Sequence, residues 1–253
     1  MTPVNRGVLV TGASGGIGRA VAVAFAREGD RVAVHYSSRR AEAEQTLAEL
    51  PGDGHALVSG DLAEPLQVAD LAAAADDALG GVDVLVNNAA VVTSGYGVPD
   101  TDYGDWQRAW RETLEVNLFG AANLSYCVAR RLIERGAEGA IVNVGSRGAF
   151  RGEPDMPAYG ASKAGLHALG QSLAVSLAPH GISVTSVAPG FVETDRVAEW
   201  LEGDSGVAIR AQSPYGRVAS PEEVAAAVVY LASPGARWST GAVLDVNGAS
   251  YLR

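Results

Sequence analysis

Short apolar segments alternate along the chain with longer segments of helical periodicity. Most of the apolar runs lack the polar alternation of a half-exposed strand, so both faces of each strand are expected to be buried. Buried strands that alternate with helices predict a parallel sheet covered by helices on both faces. Seven strands are predicted, at 7–12, 31–36, 55–61, 82–90, 140–146, 182–190 and 242–248.

The segments between these strands carry apolar residues at helical spacing. Helices are predicted at 17–29, 39–50, 65–79, 104–115, 117–135, about 157–179 and 220–232. No linker divides the chain, so we expect an α/β fold with one domain, residues 1–253, built on a doubly wound parallel seven-stranded sheet. The segment 191–219 is less periodic and is predicted to form a lid over the substrate.

Composition narrows the class of protein. The net charge of −10 disfavours binding to nucleic acid or to a membrane surface, and one cysteine in 253 residues excludes an intrachain disulfide. The four histidines have no ligand spacing, so no metal site is predicted. No apolar run approaches the roughly 18–20 residues that span a bilayer. A strand follows the first residues directly, which leaves no room for a signal peptide, and we expect a cytoplasmic protein.

The sequence TGASGGIG, residues 11–18, follows the first strand and opens the first helix. Gly12 would allow a tight turn, Gly16 would let a diphosphate approach the backbone, and Gly18 would let the helix pack closely on the strand. The helix N-terminus supplies N–H groups for the phosphates. This context predicts a dinucleotide-binding loop, and a purely structural β–α turn is the alternative.

The end of the second strand bears on the choice of dinucleotide. An NAD-binding protein typically has an acidic residue there for the ribose 2′-hydroxyl, whereas this chain has Ser37, Ser38 and Arg39 and no acid before Glu42. Hydroxyl and guanidinium groups can hydrogen-bond a 2′-phosphate, so NADP(H) is favoured over NAD(H). The alternative is that Arg39 simply begins a solvated helix.

Tyr159 and Lys163 are four residues apart and therefore share one face of the predicted helix. A phenol has a pKa of about 10, and a neighbouring cation lowers that pKa toward the operating pH. The pair thus predicts a general acid/base, with small residues between the two that leave room for a cofactor. Ser146 ends the fifth strand, where its hydroxyl could bind a substrate oxygen and stabilise a developing alkoxide. Taken singly, a Tyr–Lys pair at this spacing is more often a surface contact, and a serine at a strand end is commonly a cap.

These motifs together resemble the short-chain dehydrogenase/reductase family over essentially the whole chain. Further matches are Asp61-Leu62, Asn87-Asn88-Ala89-Ala90, Asn117 within VNLFG, and the segment from Pro189-Gly190 to Thr194. The resemblance implies a Rossmann-like fold and NAD(P)-dependent interconversion of a carbonyl and an alcohol. It implies catalytic roles for Asn117, Ser146, Tyr159 and Lys163. The implied cofactor-binding residues are Gly12, Ser14, Gly15, Gly16, Ile17, Gly18, Ser37, Ser38, Arg39, Asp61, Leu62, Asn88, Ala89, Ala90, Tyr159, Lys163, Pro189, Gly190, Val192 and Thr194.

The same resemblance gives two of these residues specific roles. Lys163 would also hydrogen-bond the nicotinamide ribose, and Asn117 would kink its helix to seat a water that relays protons to Lys163. In TGASGGIGRA, VAPGFVETD and the VNG near the C-terminus, the chain resembles bacterial 3-oxoacyl-(acyl-carrier-protein) reductases. Family members usually form homotetramers, so a homotetramer is expected here and a homodimer is the alternative.

Three functions are compatible with the sequence. The first is an NADPH-dependent 3-oxoacyl or ketone reductase. The second is a dehydrogenase that oxidises a sugar-, steroid- or secondary-metabolite-type alcohol, and the third is a non-catalytic dinucleotide-binding protein. An acyl carrier protein is a doubtful partner, because Ala137 and Glu138 stand where a basic residue is expected and the chain is acidic. The aromatic residues Tyr96, Tyr103, Trp106 and Trp110 are expected to line a pocket, to form a subunit interface or simply to pack.

Overall fold

The computed structural model describes residues 5–253, so residues 1–4 of the predicted domain lie outside the described residues. All seven predicted strands are present, and most are shorter than predicted. They are β1 (Gly7–Val10), β2 (Arg31–Tyr36), β3 (Ala56–Ser59), β4 (Val84–Asn87), β5 (Gly139–Val144), β6 (Ile182–Pro189) and β7 (Val243–Val246). They form one sheet of order β3-β2-β1-β4-β5-β6-β7, and every neighbouring pair is parallel. The predicted parallel α/β fold is confirmed.

The helices agree with the predicted segments within a few residues at their ends. They are α1 (Gly16–Arg27), α2 (Arg40–Glu49), α3 (Pro65–Leu79), α4 (Tyr103–Leu114), α5 (Ala121–Arg135), α6 (Gly148–Arg151), α7 (Pro157–Leu177), α8 (Gly203–Arg210) and α9 (Pro221–Leu231). The short helices α6 and α8 were not predicted. Helices of so few residues show little apolar periodicity and are stabilised mainly by their tertiary contacts.

A hydrophobic core lies on each face of the sheet. Alternate residues of β1 enter different cores, because side chains of a strand point to opposite faces. Val8 and Val10 pack with Phe25 of α1 on one face, whereas Leu9 packs with Leu71 and Leu124 from α3 and α5 on the other. Because both faces of the sheet are buried, the strands appear in the sequence as continuous runs of apolar residues.

The order of the sheet places a crevice at one point of its edge. After β1 the chain builds outward to β2 and β3, and it then returns to place β4 on the other side of β1. At such a reversal, the connections leave the carboxyl ends of two neighbouring strands in opposite directions and open a space for a ligand. The carboxyl ends of β1 and β4 carry the segments 11–18 and 87–92, both of which contain predicted site residues.

No helix among residues 5–253 is both long enough and apolar enough to cross a membrane.

Candidate active site

One cavity of about 810 Å³ opens at the carboxyl edge of the sheet. Every predicted cofactor-binding residue lines this cavity, and so do the predicted catalytic residues Ser146, Tyr159 and Lys163. Asn117, the fourth predicted catalytic residue, lies behind the cavity wall and is 1% exposed. The structure therefore brings the predicted residues to one place, while their individual roles stay predictions.

The predicted dinucleotide-binding loop at residues 11–18, called the phosphate loop below, has the tight geometry that its glycines predict. Gly12 has a φ of 63°, and a Cβ added there would lie 2.9 Å from the Cα of Ala89. A Cβ on Gly18 would lie 2.3 Å from the carbonyl oxygen of Gly12 and 2.5 Å from Nδ2 of Asn88. Both positions thus require glycine. At Gly12 a side chain would be strained by the positive φ and would clash with Ala89, and at Gly18 it would clash with its neighbours.

Hydrogen bonds fix the phosphate loop to the neighbouring strand ends. Asn88 donates through Nδ2 to the carbonyl oxygen of Thr11 at 2.8 Å, and its backbone N–H donates to the Thr11 hydroxyl at 2.9 Å. Nδ1 of His35 accepts from the N–H of Gly12 at 3.1 Å, and Nε2 of His35 lies 3.0 Å from the carbonyl oxygen of Gly60. These contacts fix His35 as the neutral Nε2–H tautomer, and burial lowers the pKa of this ring.

The two arginines after β2 differ in their surroundings. Arg39 lines the cavity, and its Nη1 lies 3.8 Å from the position of a Cβ on Gly15. Arg40 instead forms an exposed ion pair with Glu44 at 2.8 Å. Ser37 and Ser38 line the cavity beside Arg39. Only the first arginine is therefore placed to contact a bound dinucleotide.

Helix α7 brings Tyr159 and Lys163 to the cavity from one face. Nζ of Lys163 lies 5.8 Å from the ring centroid of Tyr159 and donates to the carbonyl oxygen of Val144 at 2.8 Å. Lys163 is 2% exposed, so its charge acts where water screens it little. The contact with Val144 ties the cation to the end of β5, next to Ser146.

Asn117 lies in a π-helical turn, Glu115–Gly120, that joins α4 to α5. Its Oδ1 accepts from the N–H of Val91 at 2.7 Å, and its Nδ2 donates to the carbonyl oxygen of Val91 at 2.9 Å. Nδ2 also lies 3.1 Å from Oγ of Ser162, which donates to the carbonyl oxygen of Tyr159 at 2.8 Å. Asn117 thus joins the segment after β4 to the start of α7, the helix that carries Tyr159 and Lys163.

The segment after β5 carries Ser146 above a buried histidine. Oγ of Ser146 accepts from the N–H of Gly148 at 3.0 Å. His167 lies beneath this segment, stacked on the ring of Phe150 at 5.2 Å between centroids. A Cβ on Gly145 would lie 2.1 Å from Cε1 of His167, so the backbone before Ser146 rests directly on the imidazole.

His167 is neutral at neutral pH. Burial lowers its pKa to about 4, and the charge of Lys163 acts in the same direction. The backbone of Ser146 raises this pKa in opposition to burial, yet neither ring nitrogen reaches hydrogen-bond geometry with a partner among residues 5–253. The neutral ring therefore supports the backbone before Ser146 by packing.

Four further lining residues, Phe191, Asp195, Val197 and Trp200, lie in the segment 191–219 that was predicted to form a lid. The cavity also has lining residues that the motifs did not indicate, namely His35, Tyr36, Val91, Val92, Val116, Val144, Gly145, Arg147, Glu153 and Met156. Arg147 and Glu153 lie in the segment 147–155, between Ser146 and Tyr159. The charged residues of this segment were the sequence signal that could have indicated them as lining residues. The aromatic residues at 96, 103, 106 and 110 lie outside the lining of this cavity, in the part of the chain that is described. Trp106 and Trp110 pack on each other, with ring centroids 5.6 Å apart.

The cavity fits a nicotinamide dinucleotide. Helix α1 begins at Gly16, and within the described residues no side chain caps its N-terminus, so its first N–H groups face the cavity. These groups and the glycines suit a diphosphate, and Asp61 and Leu62 flank the space beside Arg39. Ser146, Tyr159 and Lys163 occupy the far end, where a nicotinamide would lie.

The chain is similar to known enzymes over almost its whole length. A family model described as enoyl-(acyl carrier protein) reductase matches residues 12–249. L-rhamnose 1-dehydrogenase (NAD(P)(+)) from Sphingomonas sp. (strain SKA58) is 37% identical over 97% of this chain and 96% of the relative. A 3-oxoacyl-(acyl-carrier-protein) reductase from Vibrio cholerae is 36% identical over 96% of each chain.

A solved structure agrees with these matches. The crystal structure of 3-ketoacyl-(acyl-carrier-protein) reductase from Brucella melitensis, complexed with NADH, superposes with a TM-score of 0.86 and 30% identity. The match covers 98% of each chain. From the sheet order, the glycine loop, the tyrosine–lysine pair and these relatives, the chain belongs to the short-chain dehydrogenase/reductase family and is an NAD(P)-dependent oxidoreductase of carbonyl or alcohol groups.

Proposed function

We propose that the protein reduces a ketone group of a small substrate, a 3-oxoacyl compound or another ketone, with NADPH, and that Tyr159 donates the proton to the carbonyl oxygen. The observation that carries this proposal is the convergence of Ser146, Tyr159 and Lys163 on the cavity that the phosphate loop also lines. A bound nicotinamide cofactor supplies the hydride.

The hydrogen bonds of each side chain support its proposed role. Since Oγ of Ser146 already accepts from Gly148, its hydroxyl proton is available for the substrate oxygen, and this bond strengthens as negative charge develops there. Lys163 donates to the carbonyl oxygen of Val144, which holds its ammonium group at the cavity, where it would bind a ribose hydroxyl. Its charge favours the phenolate of Tyr159 and so eases proton release. Asn117 is a positioning residue, because it acts through Val91 and Ser162.

To test the reaction, oxidation of NADPH and of NADH would be followed separately with a 3-oxoacyl thioester, an activated ketone and a cyclic ketone. NADPH-dependent turnover of at least one ketone is expected. NADPH binding without turnover of any ketone, and without oxidation of any alcohol by NADP⁺, would contradict the proposal and favour a non-catalytic dinucleotide-binding protein.

The preference for NADP(H) rests on Arg39, supported by the hydroxyls of Ser37 and Ser38. Arg39→Ala is expected to raise the Kd of NADPH about tenfold or more, because a charge-assisted hydrogen bond to the 2′-phosphate is lost, and to change the Kd of NADH much less. The matched control is Arg40→Ala, since Arg40 is paired with Glu44 outside the cavity. Fluorescence titration with both cofactors measures the four constants, and equal weakening of both cofactors by Arg39→Ala would contradict the preference.

Oxidation of a hydroxylated alcohol is the second candidate function. Arg147 and Glu153 place two charged side chains in the cavity wall. An unsubstituted acyl chain has no polar group that could form a hydrogen bond with them. The relative from Sphingomonas, whose name describes a sugar dehydrogenase, is compatible with this candidate. Faster NADP⁺ or NAD⁺ reduction with polyols than ketone reduction by NADPH would favour it.

We also propose a cytoplasmic homotetramer of single-domain subunits, with a lid at 191–219 and without an acyl carrier protein as partner. Large apolar side chains that are exposed on the subunit, such as Tyr126 at 67% and Trp238 at 100%, support subunit contacts. Glu138 forms an exposed ion pair with Arg237 at 2.7 Å where an acidic carrier would need a free cation. Light scattering of the purified protein tests the tetramer, and a monomer would contradict it.

A further inference from the structure

Glu153 brings a carboxylate into the cavity wall close to the catalytic serine. A Cβ added to Gly148 would lie 2.3 Å from Oε1 of Glu153, so the carboxyl group packs directly against the Gly148 backbone. The N–H of the same glycine donates to Oγ of Ser146. One residue therefore touches both the catalytic hydroxyl and the carboxylate.

Gly148 makes room for this side chain, because it leaves space for the carboxyl group. The stem of Glu153 also lies at van der Waals distance from Gly160, next to Tyr159, whose Cβ position is 3.7 Å from both Cβ and Cγ of Glu153. Any larger residue at 148 would push the carboxyl group away. The backbone around Ser146 and Tyr159 is thus shaped to admit Glu153 beside the reacting groups.

The two arginines near Glu153 donate their hydrogen bonds to other residues. Arg147 donates to Oε1 of Gln212 at 2.5 Å and to the Ser250 hydroxyl, and Arg151 donates to the same Gln212 oxygen at 3.1 Å. Burial raises the pKa of Glu153 and the charge of Asp155 acts in the same direction, whereas the positive charges of Arg151 and Arg147 oppose both. The carboxyl group lines the cavity beside cations that are bonded to other acceptors.

The charges of Glu153, Arg147 and Arg151 determine which substrate group could bind at this part of the cavity. An ammonium group would be repelled by Arg147 and Arg151, and an anionic group would be repelled by Glu153. A neutral hydroxyl donates well to a carboxylate and meets neither repulsion. Phe191 and Trp200 line the same cavity as an edge-to-face pair, 6.4 Å between centroids, and the Arg147 guanidinium lies 5.1 Å from the Phe191 centroid. This aromatic pair offers apolar surface for the carbon skeleton.

We propose that Glu153 accepts a hydrogen bond from a substrate hydroxyl next to the reacting carbon, so that the substrate class is neutral hydroxylated ketones and their polyol products. This inference rests on the proposed oxidoreductase function and names its substrate. Glu153 is a specificity-determining residue. A plain ketone offers no donor to the carboxyl group of Glu153, which disfavours that ketone relative to a hydroxyketone.

The test compares two substrates that differ by one hydroxyl. The kcat/KM for NADPH-dependent reduction of 3-hydroxybutan-2-one and of butan-2-one is measured for the wild type, Glu153→Gln and Glu153→Leu. The wild type is expected to prefer the hydroxyketone about tenfold or more. Glu153→Leu is expected to lower that ratio about 10- to 100-fold, the range of one charge-assisted hydrogen bond, and Glu153→Gln to lower it less because its amide oxygen still accepts.

Glu222→Leu is the matched control, because Glu222 is an exposed carboxylate on α9 and is not among the residues that line the cavity in the described part of the chain. Its preference ratio should equal that of the wild type. Titration with NADPH shows that each variant is folded, and if Glu153→Leu does not fold, the ratio of Glu153→Gln decides.

The outcomes separate the two proposals. A wild type that reduces neither ketone, and oxidises neither cyclohexanol nor 1,2-cyclohexanediol, contradicts the proposed function and the inference together. A wild type that reduces both ketones equally well, or folded variants that keep the wild-type ratio, would overturn the role of Glu153 and leave the proposed function standing.

Discussion

The cofactor half and the substrate half of the cavity are built in different ways. The cofactor half rests on backbone groups of one short loop, which Asn88 and His35 hold in place. The substrate half rests on side chains from several distant segments, including Ser146 after β5, Lys163 on α7 and Phe191 after β6. A backbone loop suits a ligand common to many enzymes, whereas separate side chains can be exchanged one by one for a new substrate.

The largest expected effect separates binding from chemistry. Tyr159→Phe removes the proposed proton donor and is expected to lower kcat about 10²- to 10⁴-fold, the usual contribution of general acid catalysis. The Kd of NADPH should stay nearly unchanged, because the phosphate loop is intact. Stopped-flow turnover and fluorescence titration measure the two quantities, and turnover close to the wild type would remove Tyr159 from the mechanism.

The next effect concerns the buried histidine of the substrate half. His167 has a pKa of about 4 in the folded protein and 6.5 when unfolded. As the pH falls from 6.5 to 4, the unfolded chain takes up a proton that the folded chain does not, so the free energy of unfolding should fall by about 3 kcal/mol. Above pH 6.5 both states are neutral and this contribution is constant.

Urea unfolding at a series of pH values tests this expectation. His35 has a lowered pKa as well and changes stability in the same direction, so the comparison must be made between variants. His167→Leu should reduce the slope of unfolding free energy against pH between 6.5 and 4, and His180→Asn, at an exposed position, should not. An unaltered slope in His167→Leu would mean that the imidazole takes up its proton in the folded state.

The smallest of the three effects concerns the cofactor half. Gly18→Ala places a methyl group against Gly12 and Asn88 and is expected to cost about 1–3 kcal/mol of stability, although alanine favours a helix over glycine. NADPH should bind more weakly, because the loop must shift. Gly15→Ala is the matched variant, since its nearest contact is 3.8 Å away, at Arg39. Equal losses in both variants would show that close packing at Gly18 does not shape the loop.

The sequence predicted the cofactor half better than the substrate half, for a physical reason. The glycine loop is local, since steric and conformational limits within eight residues identify it. The parallel strands were also predictable, because both of their faces are buried. Arg147 and Glu153 flank the short helix α6 and line the cavity, and this helix has too few residues for a periodic pattern.

Two further features depended on tertiary packing in the same way. The family resemblance implied a kink at Asn117, but the π-helical turn itself was not predicted, because one short turn is too brief to show a period of its own. His167 has no motif at all, and only the fold places it under the backbone before Ser146.

The central position of β1 has a consequence for synthesis of the chain on a ribosome. Val8 pairs with Val32 on one side and with Val84 on the other, so one side of the first strand is completed early and the other waits for more than seventy further residues. During that interval, the nascent chain presents a fully apolar strand edge that can pair with other chains. The time that translation takes to reach β4 therefore sets how long chaperones must protect the nascent protein from aggregation.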